Sequence, residues 1–300
     1  MGLRAKVPFY AHRGASGVAR VLPLPVASAL ARGAGLVLGR VMADRRRMLE
    51  RHLRRAHGSG LSGAALDREV RRAFASYARY WLEAFRLPGT PGPRLEAAMS
   101  WEGFDNLDAA LAGGKGVIVV LPHLGGWEFG GAWLGSLGYP MTVVAERLDP
   151  PELFDWFVEL REALGIKVLP LGPEAAAGVL RALKANEVVG LVCDRDIGGT
   201  GVEVEFFGEK TTLPSGAATL ALRTGAPVLP AAIYFEGRRG HRGVIRPPIP
   251  VERTGRLRDD VARITQLIAD ELETLIRAAP DQWHLLQPNW PSDRDAMPRQ

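Results

Sequence analysis

The chain of 300 residues has very little cysteine, because Cys193 is its single thiol. One thiol excludes an intramolecular disulfide framework and an all-cysteine metal site, and it is typical of a reducing compartment. No long polar linker separates the apolar segments, so we predict one domain over residues 1–300. The hydrophobic content of 47% and the charged content of 24% exclude intrinsic disorder and a multi-span membrane protein.

The chain also lacks an apolar run free of charge over the roughly 20 residues that a membrane-spanning helix requires. The nearest segment, residues 21–42, contains Arg32 and Arg40 and has prolines near its start. It is expected either to lie on a membrane or to pack on the domain. No clear apolar stretch or cleavage site precedes it, so a cleaved signal peptide is not expected.

Acidic residues are scarce in residues 1–94, where 5 Asp and Glu face 18 Lys and Arg, a net charge of +13. Residues 95–300 carry 28 acids and 20 bases. This asymmetry indicates contact with a polyanion, either nucleic acid or an anionic bilayer. Residues 44–55 predict a basic helix, which is either a solvated face or a surface for lipid headgroups. Its candidate membrane-binding residues are Arg45, Arg46, Arg47 and Arg51.

Signatures of several function classes are missing. Few aromatic residues alternate with the arginines, and no helix-turn-helix, zinc-finger or RNA-recognition motif occurs, so we expect no nucleic-acid partner. There is no G-x-S-x-G nucleophile elbow and no P-loop. A basic membrane- or nucleic-acid-binding module without enzymatic activity is the alternative from a different class.

Strands and helices alternate from about residue 95 onward. The apolar run GVIVVL at 116–121 predicts a strand buried on both faces. Further strands are predicted at 141–145, 166–171, 188–193, 202–207, 226–235 and 244–250. Helices are predicted at 64–87, 128–137, 151–164, 175–186, 215–224 and 258–278. This order predicts an α/β fold whose mixed, mainly parallel sheet has helices on both faces and ligands at the carboxyl ends of its strands.

The segment LPHLGGWE, which joins the strand at 116–121 to the next helix, is the best candidate for chemistry. His123 and Glu128 would stand about 140° apart on one regular helix, so His123 is expected in the turn. Gly125 and Gly126 are expected to expose N–H groups where developing negative charge is favoured. A purely structural turn, with Glu128 favoured by the helix dipole, explains the segment equally well.

Four ordered segments resemble a known family. They are HLGGWEFGGAW at 123–133, DRD at 194–196, VEVEFFG at 202–208 and WHLLQPNW at 283–290. Together they are similar to the actinobacterial phosphatidylinositol mannoside acyltransferases. The His-x4-Glu spacing also resembles the signature of the wider glycerolipid and lipid A acyltransferase superfamily.

The resemblance implies a glycerolipid-acyltransferase-like fold, with residues 1–94 contacting the membrane and residues 95–300 forming the catalytic body. It implies peripheral attachment to the cytoplasmic face of the plasma membrane. The implied reaction is transfer of a fatty acyl chain from acyl-CoA to a mannose hydroxyl of the glycolipid acceptor, without a cofactor or metal. A lipid A-type acyltransferase that uses acyl carrier protein is the runner-up.

The resemblance also implies that His123 removes the proton of the acceptor hydroxyl, a role that suits an imidazole with an ordinary pKa of about 6.5. A carboxylate must orient the ring, and three glutamates compete for that position. Glu128 is the partner within the motif, Glu203 matches a glutamate of the family outside it, and Glu205 is the fallback. Glu203 and Glu205 lie on the same face of a predicted strand, so alternation does not separate them.

Other residues are candidates for substrate binding. Arg147 resembles an arginine of the lipid A-type enzymes and either holds a phosphate or forms a surface ion pair. Asp194 and Arg195 end a predicted strand and either bind substrate or pair with Asp196 in a structural cluster.

Two further segments carry expectations of their own. The loop at residues 197–201 is expected to be mobile over the site or to form a plain turn. The tail residues Trp283, His284 and Trp290 are expected to serve in packing rather than in contact with substrate.

Overall fold

The computed structural model describes residues 6–58 and 60–295, which form twelve α-helices and nine strands. The helices are α1 (Val7–Val21), α2 (Leu24–Val41), α3 (Ala43–His57), α4 (Gly63–Arg86), α5 (Gly92–Ala97), α6 (Asp105–Ala112), α7 (Trp127–Ser136), α8 (Pro151–Glu162), α9 (Pro173–Lys184), α10 (Gly216–Thr224), α11 (Leu257–Arg277) and α12 (Pro291–Asp295). The strands are β1 (Met99–Glu102), β2 (Val117–Leu121), β3 (Met141–Ala145), β4 (Ile166–Pro170), β5 (Val188–Val192), β6 (Val202–Phe206), β7 (Glu209–Leu213), β8 (Val228–Glu236) and β9 (Gly240–Ile245).

Seven strands form the main sheet, in the order β1-β9-β8-β2-β5-β3-β4. Strands β8 and β9 pair antiparallel, and the other neighbours pair parallel. Ile118 and Val120 of β2 pack in a core cluster with α10 and α11, whereas Val117 packs on the opposite face with α6 and α7. Helices therefore cover both faces, which explains the unbroken apolar run of β2. The predicted mixed, mainly parallel α/β fold is confirmed.

The hairpin of β6 and β7 lies outside the main sheet. Strands β1 and β7 were not predicted, and the strand predicted at 202–207 pairs with β7 rather than forming an edge of the main sheet. The last strand was predicted at 244–250 but runs from Gly240 to Ile245. It ends before Pro247 and Pro248, which lack the N–H groups that continued pairing requires.

Helix α2 has one face of small residues and one face of exposed apolar residues. Ala27, Gly35 and Gly39 are buried against α4, and a Cβ atom built on Gly35 would lie 2.5 Å from the carbonyl oxygen of Phe74. The close packing of α2 on α4 therefore depends on glycine. By length and composition α2 is also apolar enough to cross a membrane. In the structure it packs on the domain and leaves its other face exposed.

Helix α3 is bound to the C-terminal tail by a buried ionic cluster. The His52 ring and the Asp293 carboxylate are completely buried and lie 3.2 Å apart. Arg51 and Arg55 contact the same carboxylate at 2.6 and 2.9 Å. Burial raises the pKa of Asp293, but the bonds from His52 and Arg51 outweigh it and hold the pKa well below its ordinary value.

Three of the four arginines assigned to membrane contact also have partners within the protein. Arg51 is bonded to Asp293, Arg45 donates to a tail carbonyl, and Arg46 pairs with Glu50 and Asp67. These internal bonds compete with lipid headgroups for the guanidinium groups, whose contact with lipid stays a prediction. Arg47 is exposed and lies 3.7 Å from Asp44, and its contact with lipid stays a prediction.

We expect Asp293→Asn to lower the free energy of unfolding at pH 7 by about 3 kcal/mol, because it leaves the partly buried Arg51 and Arg55 without their shared anion. Since folding lowers the pKa of Asp293, this stabilisation is present above the unfolded value of about 3.9 and is lost as the pH falls below it. The difference between wild type and variant should therefore shrink towards about pH 3, as measured by denaturant titration. Asp44→Asn, which removes an exposed ion pair, is the control and should cost less than about 1 kcal/mol. If the variant lost the same free energy of unfolding at pH 7 and at about pH 3, the stabilising role of the Asp293 charge would be contradicted.

Candidate active site

The register of two neighbouring parallel strands brings His123 and Asp194 together. Leu121 of β2 pairs with Val192 of β5, so the residues two positions beyond each strand end lie side by side. His123 Nδ1 is 2.6 Å from Asp194 Oδ1. The histidine lies in the turn between β2 and α7, as the spacing predicted.

The Asp194 carboxylate is completely buried and bonded on both oxygens. Its Oδ2 accepts the backbone N–H of His123 at 3.0 Å and the indole N–H of Trp283 at 2.8 Å. Burial raises the pKa of Asp194, but the charge and hydrogen bonds of His123, together with the Trp283 bond, outweigh it and hold the pKa below its ordinary value. Asp194 is therefore an ionised carboxylate in a water-free position.

The bond to Asp194 selects the tautomer of His123. A carboxylate accepts hydrogen bonds, so the proton of the neutral ring resides on Nδ1 and the lone pair on Nε2. The His123 side chain is 31% exposed and lines the main cavity. The arrangement is that of a general base whose second nitrogen is held by a buried carboxylate.

The cavity has a volume of about 330 Å3 and extends from the dyad of His123 and Asp194, beside the middle strand β2, over β5 and β3 to the edge strand β4. Its lining combines apolar residues of β3, β4 and β5 with charged residues near the strand ends. Gly131 and Gly190 let side chains of the cavity wall pack closely on the backbone: a Cβ atom on Gly190 would lie 2.8 Å from the Met141 methyl group, and one on Gly131 would lie 2.8 Å from Ile166. This lining suits an apolar group with a polar end.

Glu128 lines the same cavity but is bonded to other residues. Arg161 donates to its carboxylate from Nη2 at 2.5 Å and from Nε at 3.1 Å, and the Tyr80 hydroxyl donates at 3.3 Å. Burial lowers the pKa of Arg161, but the Glu128 charge outweighs it and holds the pKa above its ordinary value. Asp194, not Glu128, therefore occupies the position beside the His123 ring.

The predictions that Glu203 or Glu205 pairs with His123 are wrong. Glu203 is 65% exposed and forms an ion pair of 2.8 Å with Lys210 of the neighbouring strand. Glu205 is also exposed on β6. Strand alternation explains both placements, because Val204 and Phe206 point into the core and so direct the two glutamates to solvent.

The N–H groups of Gly125 and Gly126 are not free for a ligand, contrary to the prediction. Gly125 donates to the Gln282 carbonyl and Gly126 to the Ile233 carbonyl, both at 2.8 Å. The glycine at 125 has a steric reason: its φ is 59°, and a Cβ there would lie 2.1 Å from the Ile233 carbonyl oxygen. The two glycines therefore bring the catalytic turn close to β8 and the tail.

The candidate phosphate-binding residues are only partly near the site. Among the described residues, the arginines on the cavity wall are Arg161 and Arg195, whereas Arg147 is exposed on the loop after β3, between the lining residues Glu146 and Leu148. Arg195 pairs with Glu146 at 2.5 Å. Asp196 instead accepts the N–H groups of Gly199 and Gly201, so the predicted cluster of Asp194, Arg195 and Asp196 does not form.

Comparisons with known proteins agree over most of the chain. Residues 7–292 match the family of bacterial lipid A biosynthesis acyltransferases. A phosphatidylinositol mannoside acyltransferase of Mycobacterium tuberculosis is 45% identical over 223 residues, covering 73% of this chain and 69% of that protein. One from Mycolicibacterium smegmatis is 42% identical over 230 residues, covering 76% and 74%. A lipid A biosynthesis acyltransferase of Haemophilus influenzae is 27% identical over 194 residues, covering 63% and 58%.

Cys193 precedes Asp194 directly, and its environment makes it a poor nucleophile. Burial and then the Asp194 charge raise the pKa of its thiol to about 12, so the thiol stays protonated at neutral pH. We expect the native protein to resist an aromatic disulfide reagent at pH 8, and the unfolded protein to react with one equivalent, as followed by absorbance and intact mass. Rapid labelling of the native protein would contradict the buried, protonated state.

Proposed function

Since the chain belongs to the bacterial lipid A biosynthesis acyltransferase family and is an acyltransferase, we propose that it transfers a fatty acyl chain from acyl-CoA to a mannose hydroxyl of a phosphatidylinositol mannoside. The observation that carries the proposal is the pair of His123 and Asp194 at the polar end of a largely apolar cavity. The choice of acceptor is supported by the names of the relatives that are 42–45% identical.

The geometry supports direct transfer. The acceptor oxygen attacks the thioester carbonyl while His123 Nε2 takes the hydroxyl proton, and Asp194 stabilises the resulting imidazolium. The tetrahedral intermediate then collapses, the carbon–sulfur bond breaks, and the departing thiolate receives the proton from His123. The products are the acylated sugar and the free thiol of CoA, and the enzyme returns to its starting state.

The two ends of the cavity suit the two ends of the donor. Its apolar interior beside Met141 and Ile166 suits a fatty chain, for which burial contributes about 0.8 kcal/mol per methylene. Arg195, rather than the predicted Arg147, is the residue that we assign to a phosphate of the donor or the acceptor. Glu128 and Arg161 form the wall between α7 and α8.

We expect His123→Gln and Asp194→Asn to lower the rate of transfer by about 100-fold or more, because they remove the base or its orienting anion. Glu203→Gln and Glu205→Gln are the matched controls and should stay within about twofold of wild type. The assay follows radiolabelled acyl chains from acyl-CoA into a mannosylated phosphatidylinositol. Near-wild-type transfer by a folded Asp194→Asn protein would contradict the mechanism. Preference for acylated carrier protein in a competition assay would favour the lipid A-type donor instead.

For membrane attachment we propose the exposed faces of α1 and α2. Large apolar side chains recur at helical spacing on both helices and stand in solvent. They are Val7, Val18 and Val21 on α1 and Val26, Leu30, Val37 and Val41 on α2. The exposed Arg40 lies beside the α2 face. An exposed apolar helix face with a cation beside it is typical of a helix lying in the headgroup region, here of the cytoplasmic leaflet.

We expect Leu30→Ser combined with Val37→Ser to weaken binding to phosphatidylinositol-rich vesicles about tenfold or more, because each change removes apolar area from the lipid contact. Leu257→Ser, at an exposed leucine of α11, is the control and should bind like wild type. High salt should weaken binding without abolishing it, since it screens the arginines only. Sedimentation with vesicles measures binding in each case. Unchanged binding by the double variant would rule out the α2 face as the membrane contact.

A further inference from the structure

The two buried tryptophans of the tail have different hydrogen-bond partners. Trp283 is 1% exposed and Trp290 is fully buried, as the predicted packing role requires. The indole N–H of Trp290 donates to the Phe206 carbonyl at 3.1 Å, an ordinary backbone acceptor. The indole N–H of Trp283 donates instead to Asp194 Oδ2, the carboxylate that holds His123. Packing alone does not account for this second bond.

The Trp283 ring is held in a fixed position. Its centroid lies 5.4 Å from the rings of both His52 and Phe207. On either side, the tail backbone is bonded to the catalytic turn, because Gly125 donates to Gln282 and His284 donates to His123 at 2.7 Å. The indole N–H therefore stays directed at Oδ2 while the turn keeps its shape.

We infer that Trp283 is a positioning residue for the transfer proposed above: its indole N–H fixes the Asp194 carboxylate so that Oδ1 stays on His123 Nδ1. This inference rests on the proposed function. The bond also draws negative charge towards Oδ2. Without the Trp283 bond, the Asp194 carboxylate is less restrained, and its negative charge is no longer shared with the indole N–H. The carboxylate then stabilises a proton on the His123 ring more strongly.

The matched pair Trp283→Phe and Trp290→Phe separates positioning from packing. Both changes shorten a buried indole in the same aromatic cluster and remove one indole hydrogen bond. Only the first removes a bond to the dyad. The other ionisable groups that line the cavity or adjoin the dyad are Tyr77, Tyr80, Glu128, Glu146, Arg161, Cys193, Arg195 and His284, and both variants retain them.

The experiment measures kcat and KM for acyl transfer from acyl-CoA across the pH range, and follows the His123 ring by NMR titration, in the full-length wild type and both variants. We expect Trp283→Phe to lower kcat about tenfold with KM within about twofold, the size expected for one hydrogen bond to a charged group. The acid limb of its rate profile and its His123 titration should both move to higher pH. Trp290→Phe should leave both at the wild-type pH.

Wild-type kcat and titration in Trp283→Phe, or equal shifts in both variants, would overturn the inference. If Trp283→Phe does not fold, benzothienylalanine at position 283 keeps the ring shape and replaces the N–H by sulfur, and the same outcomes apply. Failure of the proposed function would be distinct: the wild type would transfer no acyl group from acyl-CoA, while the His123 titration would still report on the Trp283 bond.

Discussion

The burial of one carboxylate governs the geometry of the active site. An ion removed from water is tolerated only where hydrogen bonds and an opposite charge replace its hydration. The donors around Asp194 come from the turn after β2 and from the C-terminal tail, which lie far apart in sequence. The strand register, the turn at Gly125 and Gly126, and the tail are therefore all required to surround the Asp194 carboxylate with hydrogen-bond donors. Its effect on His123 is to leave the lone pair of the neutral ring on Nε2.

The N-terminal helices take part in the same arrangement. His52 on α3 is bonded to Asp293 and contacts the ring of Trp283, so the basic helix is connected to the dyad through the tail. Two of the arginines that the sequence suggested for lipid, Arg45 and Arg51, also bond to the tail. The surface that we propose for membrane attachment is the apolar face of α1 and α2, and attachment there would leave α3 and the dyad undisturbed.

Periodicity and resemblance predicted the sheet, most of its helices and the place of His123, because these depend on local patterns. The partner of His123 depends on which strands are neighbours, and nothing local in the sequence reveals that β5 lies beside β2. One signal was present: Asp194, like His123, stands two residues beyond the end of a buried strand. For Glu203, the alternation of side chains along β6 was a better guide than the resemblance. Val204 and Phe206 occupy the inward face of the strand, so Glu203 lies on the outward face. The partners of Arg51 lie about 240 residues away, beyond the reach of pattern analysis.

In the proposed reaction the dyad activates the acceptor hydroxyl for a single direct transfer. Rapid-quench intact-mass analysis of the enzyme with acyl-CoA alone, and then with acceptor added, distinguishes this route from one through an acyl-enzyme. Direct transfer requires an unmodified enzyme mass and no burst of free CoA before the acceptor arrives, followed by one phase of product formation. An enzyme carrying one acyl chain, which passes to the acceptor afterwards, would contradict it.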